Sequence, residues 1–273
     1  MSPLPYRHLE SDPQQRYLAF EPPGPVRGLL VSVHGISRNA REHLRRFRPW
    51  AERLGLVLLA PLFDRRRCQD YQRLGRQGRG LRADRLLQAI VAEVAEHHGL
   101  EDRRFHLFGY SGGGQFAHRF ALAHPHQVLT LAVGAAGWYT FPDPQQRYPY
   151  GLRASKRLPD LRFEPRNFLR IPTLVAVGSG DNCADPELNI RPRIVAQQGA
   201  SRLERGRNWI VAMEEAARHH GFDTPYHFEV IAGAGHDFRQ CMDRGMGAEV
   251  AAFIACHLAA GTVATPRLEV ACR

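Results

Sequence analysis

Cysteine, lysine and long apolar runs are scarce in this sequence of 273 residues. The cysteines are an odd number, widely spaced, with no C-x-x-C pair, so they predict neither a disulfide framework nor a cysteine zinc site. They are Cys68, Cys183, Cys241, Cys256 and Cys272. No apolar run approaches the roughly 18–20 residues of a membrane-spanning helix, and the amino terminus lacks the pattern of a secretory signal. These absences predict a reduced, cytoplasmic protein without a membrane span.

Acidic residues are outnumbered, since 27 Asp and Glu face 37 Lys and Arg, which gives a net charge of +10. That surplus alone would suggest a nucleic-acid partner. However, Lys156 is the single lysine, and the arginines are spread along the whole chain. The densest stretch, residues 65–85, contains glycines and Tyr71 as its one aromatic residue, which is typical of a solvated loop leading into a helix. We therefore predict no nucleic-acid partner, while a preference for anionic substrates or surfaces stays open.

Two kinds of apolar pattern alternate along the chain. Continuous apolar runs that end at glycine or proline predict buried strands, and apolar residues three and four apart predict helices. Strands are predicted over 28–35, 56–60, 105–108, 128–133, 172–177 and 226–231, and helices over 40–54, 84–98, 113–124, 202–220 and 247–258. We expect Pro49 to kink or interrupt the first helix. Strands separated by helices predict one α/β domain over 1–273, with a mostly parallel central sheet and helices on both faces.

The alternation breaks over residues 138–171, where aromatic residues and prolines follow neither period. A loop-rich segment of this length inside a compact domain predicts a lid or substrate-binding insertion. We expect its aromatic residues, Trp138 and Tyr139 above all, to contact the substrate. The alternative is an ordered surface meander whose aromatic side chains pack against the core.

The motif Gly109-Tyr110-Ser111-Gly112-Gly113 follows a predicted strand and precedes a predicted helix. This G-x-S-x-G pattern is typical of a tight strand-to-helix turn that holds the serine clear of the sheet, with glycines where side chains would collide. The pattern predicts Ser111 as a nucleophile, the Gly112 N–H as an oxyanion donor and Tyr110 as a substrate contact. The alternative for such a glycine-rich turn is phosphate binding.

A serine nucleophile needs a base, and the base needs an orienting acid. His236 and Asp181 each lie in a glycine-rich loop after a predicted strand, at the sheet edge where parallel α/β proteins bind ligands. We predict His236 as the general base and Asp181 as its partner. Asp185 is the rival acid, and Asp237 is less suitable because it is adjacent to His236 in sequence.

A second oxyanion donor is predicted from His34-Gly35-Ile36-Ser37, at the end of the first buried strand. Gly35 permits a sharp turn, so the N–H of Ile36 can face Ser111, with that of Ser37 as the alternative. His34 is expected to hydrogen-bond the loop backbone, and the alternative is that His34 acts as the base.

The chain resembles the α/β-hydrolase superfamily over roughly residues 27–258, on the motifs at 34–35, 109–113, 178–181 and 235–236 and on the order Ser, Asp, His. Within it, the sequences at 34–39 and 61–64 are similar to those of small esterases grouped with polyhydroxybutyrate depolymerases and feruloyl or acetyl-xylan esterases. The resemblance implies the α/β-hydrolase fold. Serine at position 111 differs from the aspartate that epoxide hydrolases and haloalkane dehalogenases of this fold would carry.

Together these features predict a serine hydrolase that cleaves small-molecule carboxylic esters with Ser111, His236 and Asp181. A thioesterase, lactonase or amidase would use the same residues, and a non-catalytic binding module on this fold is a further alternative. No metal or organic cofactor is expected, because the chemistry needs none and no metal or dinucleotide motif stands in a suitable context. Oligomeric state is not indicated by the sequence.

Overall fold

A computed structural model describes residues 4–258, so Cys272 lies outside the described residues. Its centre is a sheet of eight strands in the order β1-β2-β4-β3-β5-β6-β7-β8. The strands are β1 (Arg7–Leu9), β2 (Asp12–Phe20), β3 (Gly28–Val33), β4 (Leu56–Leu62), β5 (Phe105–Tyr110), β6 (Val128–Gly134), β7 (Thr173–Gly178) and β8 (Tyr226–Ile231). From β4 to β8 all neighbours run parallel, whereas β2 is antiparallel to both β1 and β4.

Helices connect and cover the strands. They are α1 (Ala40–Leu54), α2 (Ala83–His97), α3 (Gly112–Ala123), α4 (Pro165–Phe168), α5 (Pro192–Gln198), α6 (Arg202–His219), α7 (Phe238–Asp243) and α8 (Met246–Cys256). Short 3-10 turns lie at Tyr71–Arg73 and Pro125–Gln127. Within residues 4–258, none of these helices combines the length and the apolar character that crossing a bilayer requires.

The helices cover both faces of the sheet, as the side chains of β5 demonstrate. Successive side chains of a strand point to opposite faces, so Phe105 and Phe108 face opposite ways. Phe105 contacts Phe120 of α3, with 5.7 Å between ring centroids, and Phe108 contacts Phe47 of α1 at 4.7 Å. Every residue of β5 is buried. A strand covered on both faces has no polar side, which explains the continuous apolar run in the sequence.

The predicted strands and helices are all present, with ends that differ by a few residues. The expectation for Pro49 was wrong in one respect, because α1 continues through it to Leu54 without interruption. Proline removes one backbone donor and crowds the preceding turn. Buried side chains on both sides of Pro49, among them Leu44, Phe47 and Ala51, hold the two halves of the helix on the sheet.

The hairpin of β1 and β2 was not predicted. β2 begins Asp-Pro-Gln-Gln-Arg, a polar stretch with a proline that resembles a loop in sequence. Its second half is buried and pairs with β4, so that Leu18 lies opposite Ala60. Neighbouring strands therefore impose extended structure on a segment whose own composition does not favour it.

Residues 138–171 form an ordered excursion between β6 and β7, containing the short helix α4. The ring of Tyr148 stacks on Phe163 at 5.0 Å, and Tyr139 stacks on Trp209 of α6 at 4.8 Å. Tyr139, Tyr148 and Phe168 are all buried. These three aromatic side chains thus pack against the core.

The arginine-rich segment 65–85 contains ion pairs with buried carboxylates. Asp70, which is buried, contacts Arg73 at 2.6 Å and Arg76 at 2.7 Å. Arg82 contacts the buried Asp84 at 2.7 Å. The segment therefore differs from the solvated loop that its composition suggested, because several of its arginines have structural partners.

Candidate active site

Ser111 lies at the turn between β5 and α3, with φ 52° and ψ −113°. A positive φ at a residue other than glycine is strained, typically by about 1–3 kcal/mol, and persists only where the surroundings enforce it. Here the Ser111 N–H donates to the Gly134 carbonyl at 2.7 Å, and the Ser111 carbonyl accepts from Gln115 N–H at 3.0 Å. The turn is therefore fixed at both sides of the serine.

The glycines that flank this turn are required by close backbone approach. A Cβ at Gly109 would lie 2.1 Å from the Gly113 carbonyl oxygen, and a Cβ at Gly113 would lie 2.1 Å from the Val33 carbonyl oxygen. Neither distance is tolerable for a side chain. The motif thus brings α3 against β3 and β5, which lifts Ser111 to the carboxyl end of the sheet.

Ser111, His236 and Asp181 form a continuous hydrogen-bonded row. Asp181 follows β7, and its Oδ2 accepts from His236 Nδ1 at 2.7 Å. His236 lies in the loop after β8, and its Nε2 accepts from the Ser111 hydroxyl at 3.0 Å. With Nδ1 as the donor, a neutral imidazole leaves Nε2 free to accept. The ring of Tyr110 stacks on that of His236, with 5.5 Å between centroids.

The remaining acidic candidates have other partners. Asp185 pairs with both terminal nitrogens of Arg202, and its Oδ1 accepts from the N–H groups of Glu187 at 2.9 Å and Leu188 at 3.0 Å. The Arg202 guanidinium lowers the pKa of Asp185 to about 2. Asp237 caps α7, accepting from the Gln240 N–H at 2.8 Å.

Arg202 is the residue that sequence reasoning missed. Its Nη1 donates to Asp181 Oδ1 at 3.1 Å and also contacts Asp185, and its side chain is buried. A cation in the first turn of a helix opposes the helix dipole. Arg202 occupies the first position of α6, and this unfavourable placement was the available signal that a carboxylate lies opposite.

The loop after β3 lies against Ser111, as expected of an oxyanion loop. A Cβ at Gly35 would lie 3.5 Å from that of Ser111, and one at Gly112 would lie 3.1 Å from Ile36 Cγ2. Gly112 begins α3, so its N–H has no acceptor within the helix. The N–H groups of Ile36 and Gly112 therefore belong to two backbone segments that meet beside the serine.

His34 holds this loop in place. Its Nδ1 donates to the Gly35 carbonyl at 2.8 Å, and its Nε2 accepts from the Phe63 N–H at 3.0 Å. Burial lowers the pKa of His34 to about 4, so the ring is neutral near pH 7. With both ring nitrogens engaged by backbone groups, His34 has a structural position rather than that of a base.

Two cavities meet at Ser111, and both are also lined by Ile36 and Glu187. The larger, of about 470 Å³, is lined among others by His236 and Tyr110. The smaller, of about 200 Å³, is lined by Gln72, Arg73, Gln115, Gly137, Trp138, Asn189 and Arg202 besides the shared residues. Of the two aromatic residues expected at the substrate, Trp138 lines the smaller cavity. Tyr139 lies in the core behind it, with its N–H bound by Gln198 at 2.8 Å.

A possible metal-ligating group lies elsewhere among the described residues, where atoms of Glu21, His97 and His98 come within 4.8 Å of one another. The carboxylate of Glu21 already accepts from Arg7 at 2.6 Å. Glu21 follows Phe20, which pairs with Leu58 near the start of β4, so this group lies at the edge of the sheet opposite Ser111. It takes no part in the serine site.

Solved structures with a similar fold were found, whereas no protein-family model and no curated protein matches the chain. The poly(3-hydroxybutyrate) depolymerase LpqC from Bordetella parapertussis is 24% identical with a TM-score of 0.74, over 92% of this chain and 90% of that one. Poly(aspartic acid) hydrolase-1 from Sphingomonas sp. KT-1 is 21% identical with a TM-score of 0.72, over 86% and 93%. An S-formylglutathione hydrolase from Agrobacterium tumefaciens is 16% identical with a TM-score of 0.56, over 89% of each chain.

At such identities the likeness concerns the fold. The strand order, the turn that carries Ser111 and these structural neighbours agree with one another and with the fold class predicted from the sequence. The chain has the α/β-hydrolase fold.

Proposed function

We propose that the protein is a serine hydrolase that cleaves carboxylic esters through an acyl-enzyme intermediate. The observation that carries the proposal is the row of hydrogen bonds from Ser111 through His236 to Asp181, with distances of 3.0 and 2.7 Å, at the junction of two cavities. These are the distances at which a base activates a serine hydroxyl and a carboxylate orients the base. The names of the structural neighbours, a depolymerase and two hydrolases, support the same class.

In the first half of the reaction, the Ser111 Oγ attacks the acyl carbonyl carbon while His236 Nε2 takes the hydroxyl proton. Asp181 fixes the tautomer in which Nδ1 carries a hydrogen, and its charge stabilises the imidazolium that forms. The carbonyl oxygen becomes an oxyanion and accepts from the N–H groups of Ile36 and Gly112. Collapse of the tetrahedral intermediate breaks the bond to the alcohol oxygen, which receives the proton from His236.

In the second half, a water molecule takes the place of the alcohol. His236 removes a proton from this water as it attacks the acyl carbon, and the same oxyanion donors stabilise the second intermediate. When that intermediate collapses, the proton returns to the Ser111 oxygen and the carboxylic acid leaves.

The proposal is tested by initial rates on p-nitrophenyl esters from acetate to laurate. We expect hydrolysis by the wild-type protein and a fall to the uncatalysed rate in Ser111→Ala. Ser11→Ala is the matched control, because the same atom is removed from an exposed turn between β1 and β2. A circular dichroism melting curve for each variant separates loss of chemistry from loss of fold.

Labelling with a fluorophosphonate probe provides an independent readout, since it needs an activated serine but no particular acyl group. We expect a mass shift on the peptide that contains Ser111 and none in Ser111→Ala. An unlabelled wild-type protein without esterase activity would overturn the proposal in favour of a binding module. Labelling without hydrolysis of these esters would indicate that the substrates are thioesters, lactones or amides, which react through the same intermediate.

A further inference from the structure

Of the two cavities at Ser111, His236 lines only one. In an ester hydrolase, the base must deliver its proton to the departing alcohol oxygen, so the alcohol lies on the side of the histidine. His236 lines the larger cavity, whereas the smaller one is lined by Ser111 and Ile36 without it. The smaller cavity is therefore the acyl side. Its volume of about 200 Å³ lies below the 300 Å³ or more of typical drug-sized sites, so the acyl group is short.

The walls of this acyl cavity are rich in hydrogen-bond donors. Gln115 is buried, and its Oε1 accepts from Arg119 Nη1 at 3.3 Å. Its other amide atom, Nε2, lies beside Gly137 on the cavity wall, 3.1 Å from where a Cβ would stand. That orientation leaves an N–H₂ group for a ligand. Ile36 and Trp138 carry the apolar side chains of the lining, and all other lining residues except Gly137 are polar or charged.

On the side of the cavity that contains Arg73, arginines outnumber carboxylates. The single carboxylate of Asp70 serves both Arg73, which lines the cavity, and Arg76. Arg119 lies fully buried behind the wall, with its guanidinium 4.3 Å from the centre of the Trp138 ring. Its hydrogen bonds go to neutral acceptors, which are Thr140 Oγ1, the Gln72 carbonyl and Gln115 Oε1.

Two further observations agree with an uncompensated charge. Within residues 4–258, the buried Nη2 of Arg119 has no hydrogen-bond partner. Burial is the main cause that lowers the pKa of Arg119 to about 9, with Arg73 and Arg76 among the smaller causes, and burial also lowers the pKa of Arg73. A buried cation is expensive unless an anion accompanies it.

The other charged groups at the cavity have partners of their own or face solvent. Arg202 contacts two carboxylates, Asp181 and Asp185, so that cluster carries one more negative than positive charge. Glu187 lines both cavities, but it is exposed to solvent at the rim, where water screens its carboxylate. Arg73 and Gln115 therefore offer an anion in the acyl cavity a cation and an amide donor.

We propose that the acyl group of the substrate is short and ends in a carboxylate, which Arg73 and Gln115 bind while Ser111 attacks the ester carbonyl. The substrate class is a half-ester of a small dicarboxylic acid. This inference rests on the proposed ester hydrolysis and adds the chemistry of the acyl side. Arg119 acts behind the wall by orienting Gln115 and by adding positive potential.

The test compares monoethyl succinate, whose acyl group carries a carboxylate, with diethyl succinate and ethyl butyrate, by ethanol release. We expect kcat/KM for monoethyl succinate to exceed that for diethyl succinate by about ten-fold or more, and the ratio to shrink as salt rises from about 20 to about 500 mM. In Arg73→Gln the ratio falls towards one. Arg79→Gln removes an equal charge from an exposed neighbouring site, and it retains the wild-type ratio.

Acetoxyacetate places the carboxylate on the alcohol side and checks the assignment of the two cavities. We expect it to gain no advantage over ethyl acetate, and an advantage equal to that of monoethyl succinate would overturn the acyl-side assignment. A ratio near one in the wild type, with hydrolysis that still requires Ser111, would overturn this inference and leave the proposed function intact. Loss of hydrolysis on every ester would overturn both.

Discussion

Arg202 and His236 bind opposite oxygens of one carboxylate. Arg202 Nη1 lies 3.1 Å from Oδ1 of Asp181, and His236 Nδ1 lies 2.7 Å from Oδ2. Asp181 is 3% exposed, so both contacts are made in a poorly solvated environment. The carboxylate is thereby held between a permanent cation and the histidine, and its orientation relative to Ser111 depends on both.

The two aspartates near Arg202 are expected to differ sharply in their effect on catalysis. Asp181→Asn leaves one oxygen acceptor, which Arg202 binds, so that the amide N–H₂ faces His236 Nδ1 and no longer fixes its tautomer. We expect kcat to fall by a factor on the order of 10⁴. Asp185→Asn leaves the His236 contact in place, so the loss should stay below about ten-fold. Steady-state kinetics on one p-nitrophenyl ester measures both. Equal losses in the two variants would contradict the assignment of Asp181 as the acid.

Arg202 is expected to set the pH range of activity. In Arg202→Gln the two carboxylates are no longer balanced by a cation, so they favour the protonated imidazole. The acidic limb of the kcat/KM profile should then lie at higher pH than in the wild type, by about half a pH unit or more. Arg207→Gln, on the exposed side of α6, is the control. An unchanged profile at reduced kcat would indicate a purely structural role for Arg202.

Trp138 and Tyr139 are adjacent in sequence but should respond differently to truncation. Trp138→Ala enlarges the acyl cavity and should shift the preferred p-nitrophenyl ester towards longer acyl chains. Tyr139 is fully buried and stacked on Trp209, so Tyr139→Ala should lower the free energy of unfolding by about 3–5 kcal/mol and leave the chain-length profile unchanged. Ester profiles and urea unfolding separate the two outcomes. A profile unaltered by Trp138→Ala would remove it from the acyl wall.

Buried neutral histidines should make the protein less stable as the pH falls. Burial lowers the pKa of His34 and His106 to about 4, and those of His43 and His118 well below the ordinary 6.5. In the unfolded chain these groups take up protons below about pH 6.5, while the folded state resists protonation down to about pH 4. Stability is therefore full above that range and is lost progressively within it, by up to about 1.4 kcal/mol per pH unit for each histidine.

Urea unfolding at about pH 7 and about pH 5 checks this expectation. His106→Gln, which keeps a polar group opposite Thr130, should reduce the difference in unfolding free energy between the two pH values. His219→Gln is the control, since His219 is exposed near the end of α6. If both variants show the wild-type difference, other groups govern the acid sensitivity.

Much of the fold could be predicted from the sequence because strands covered on both faces must be apolar throughout. The run before Ser111 illustrates this, since every residue of β5 is buried and the motif after it has glycines where backbone atoms approach closely. That Ser111, Asp181 and His236 lie close together could be predicted from the same regularity, because the loops that follow parallel strands lie at one edge of the sheet.

The rest depended on contacts that no local pattern encodes. β2 is extended because β4 pairs with it, although its first residues are polar. Arg202 reaches Asp181 across 21 residues of sequence, and although its place in the first turn of α6 indicates a carboxylate opposite, nothing local indicates which carboxylate that is. Trp138 and Tyr139 are equivalent by sequence pattern. Only the stacking of Tyr139 on Trp209, a contact distant in sequence, places Tyr139 in the core.

At Ser111, the proposed catalytic role and the stability of the fold place opposite demands on one residue. A dihedral φ of 52° suits glycine far better than serine, so Ser111→Gly should relieve strain and raise the free energy of unfolding. The same change removes the proposed nucleophile. At this position, selection for stability favours glycine, whereas selection for the proposed activity favours serine. If selection for activity were lost, we would expect glycine to replace serine.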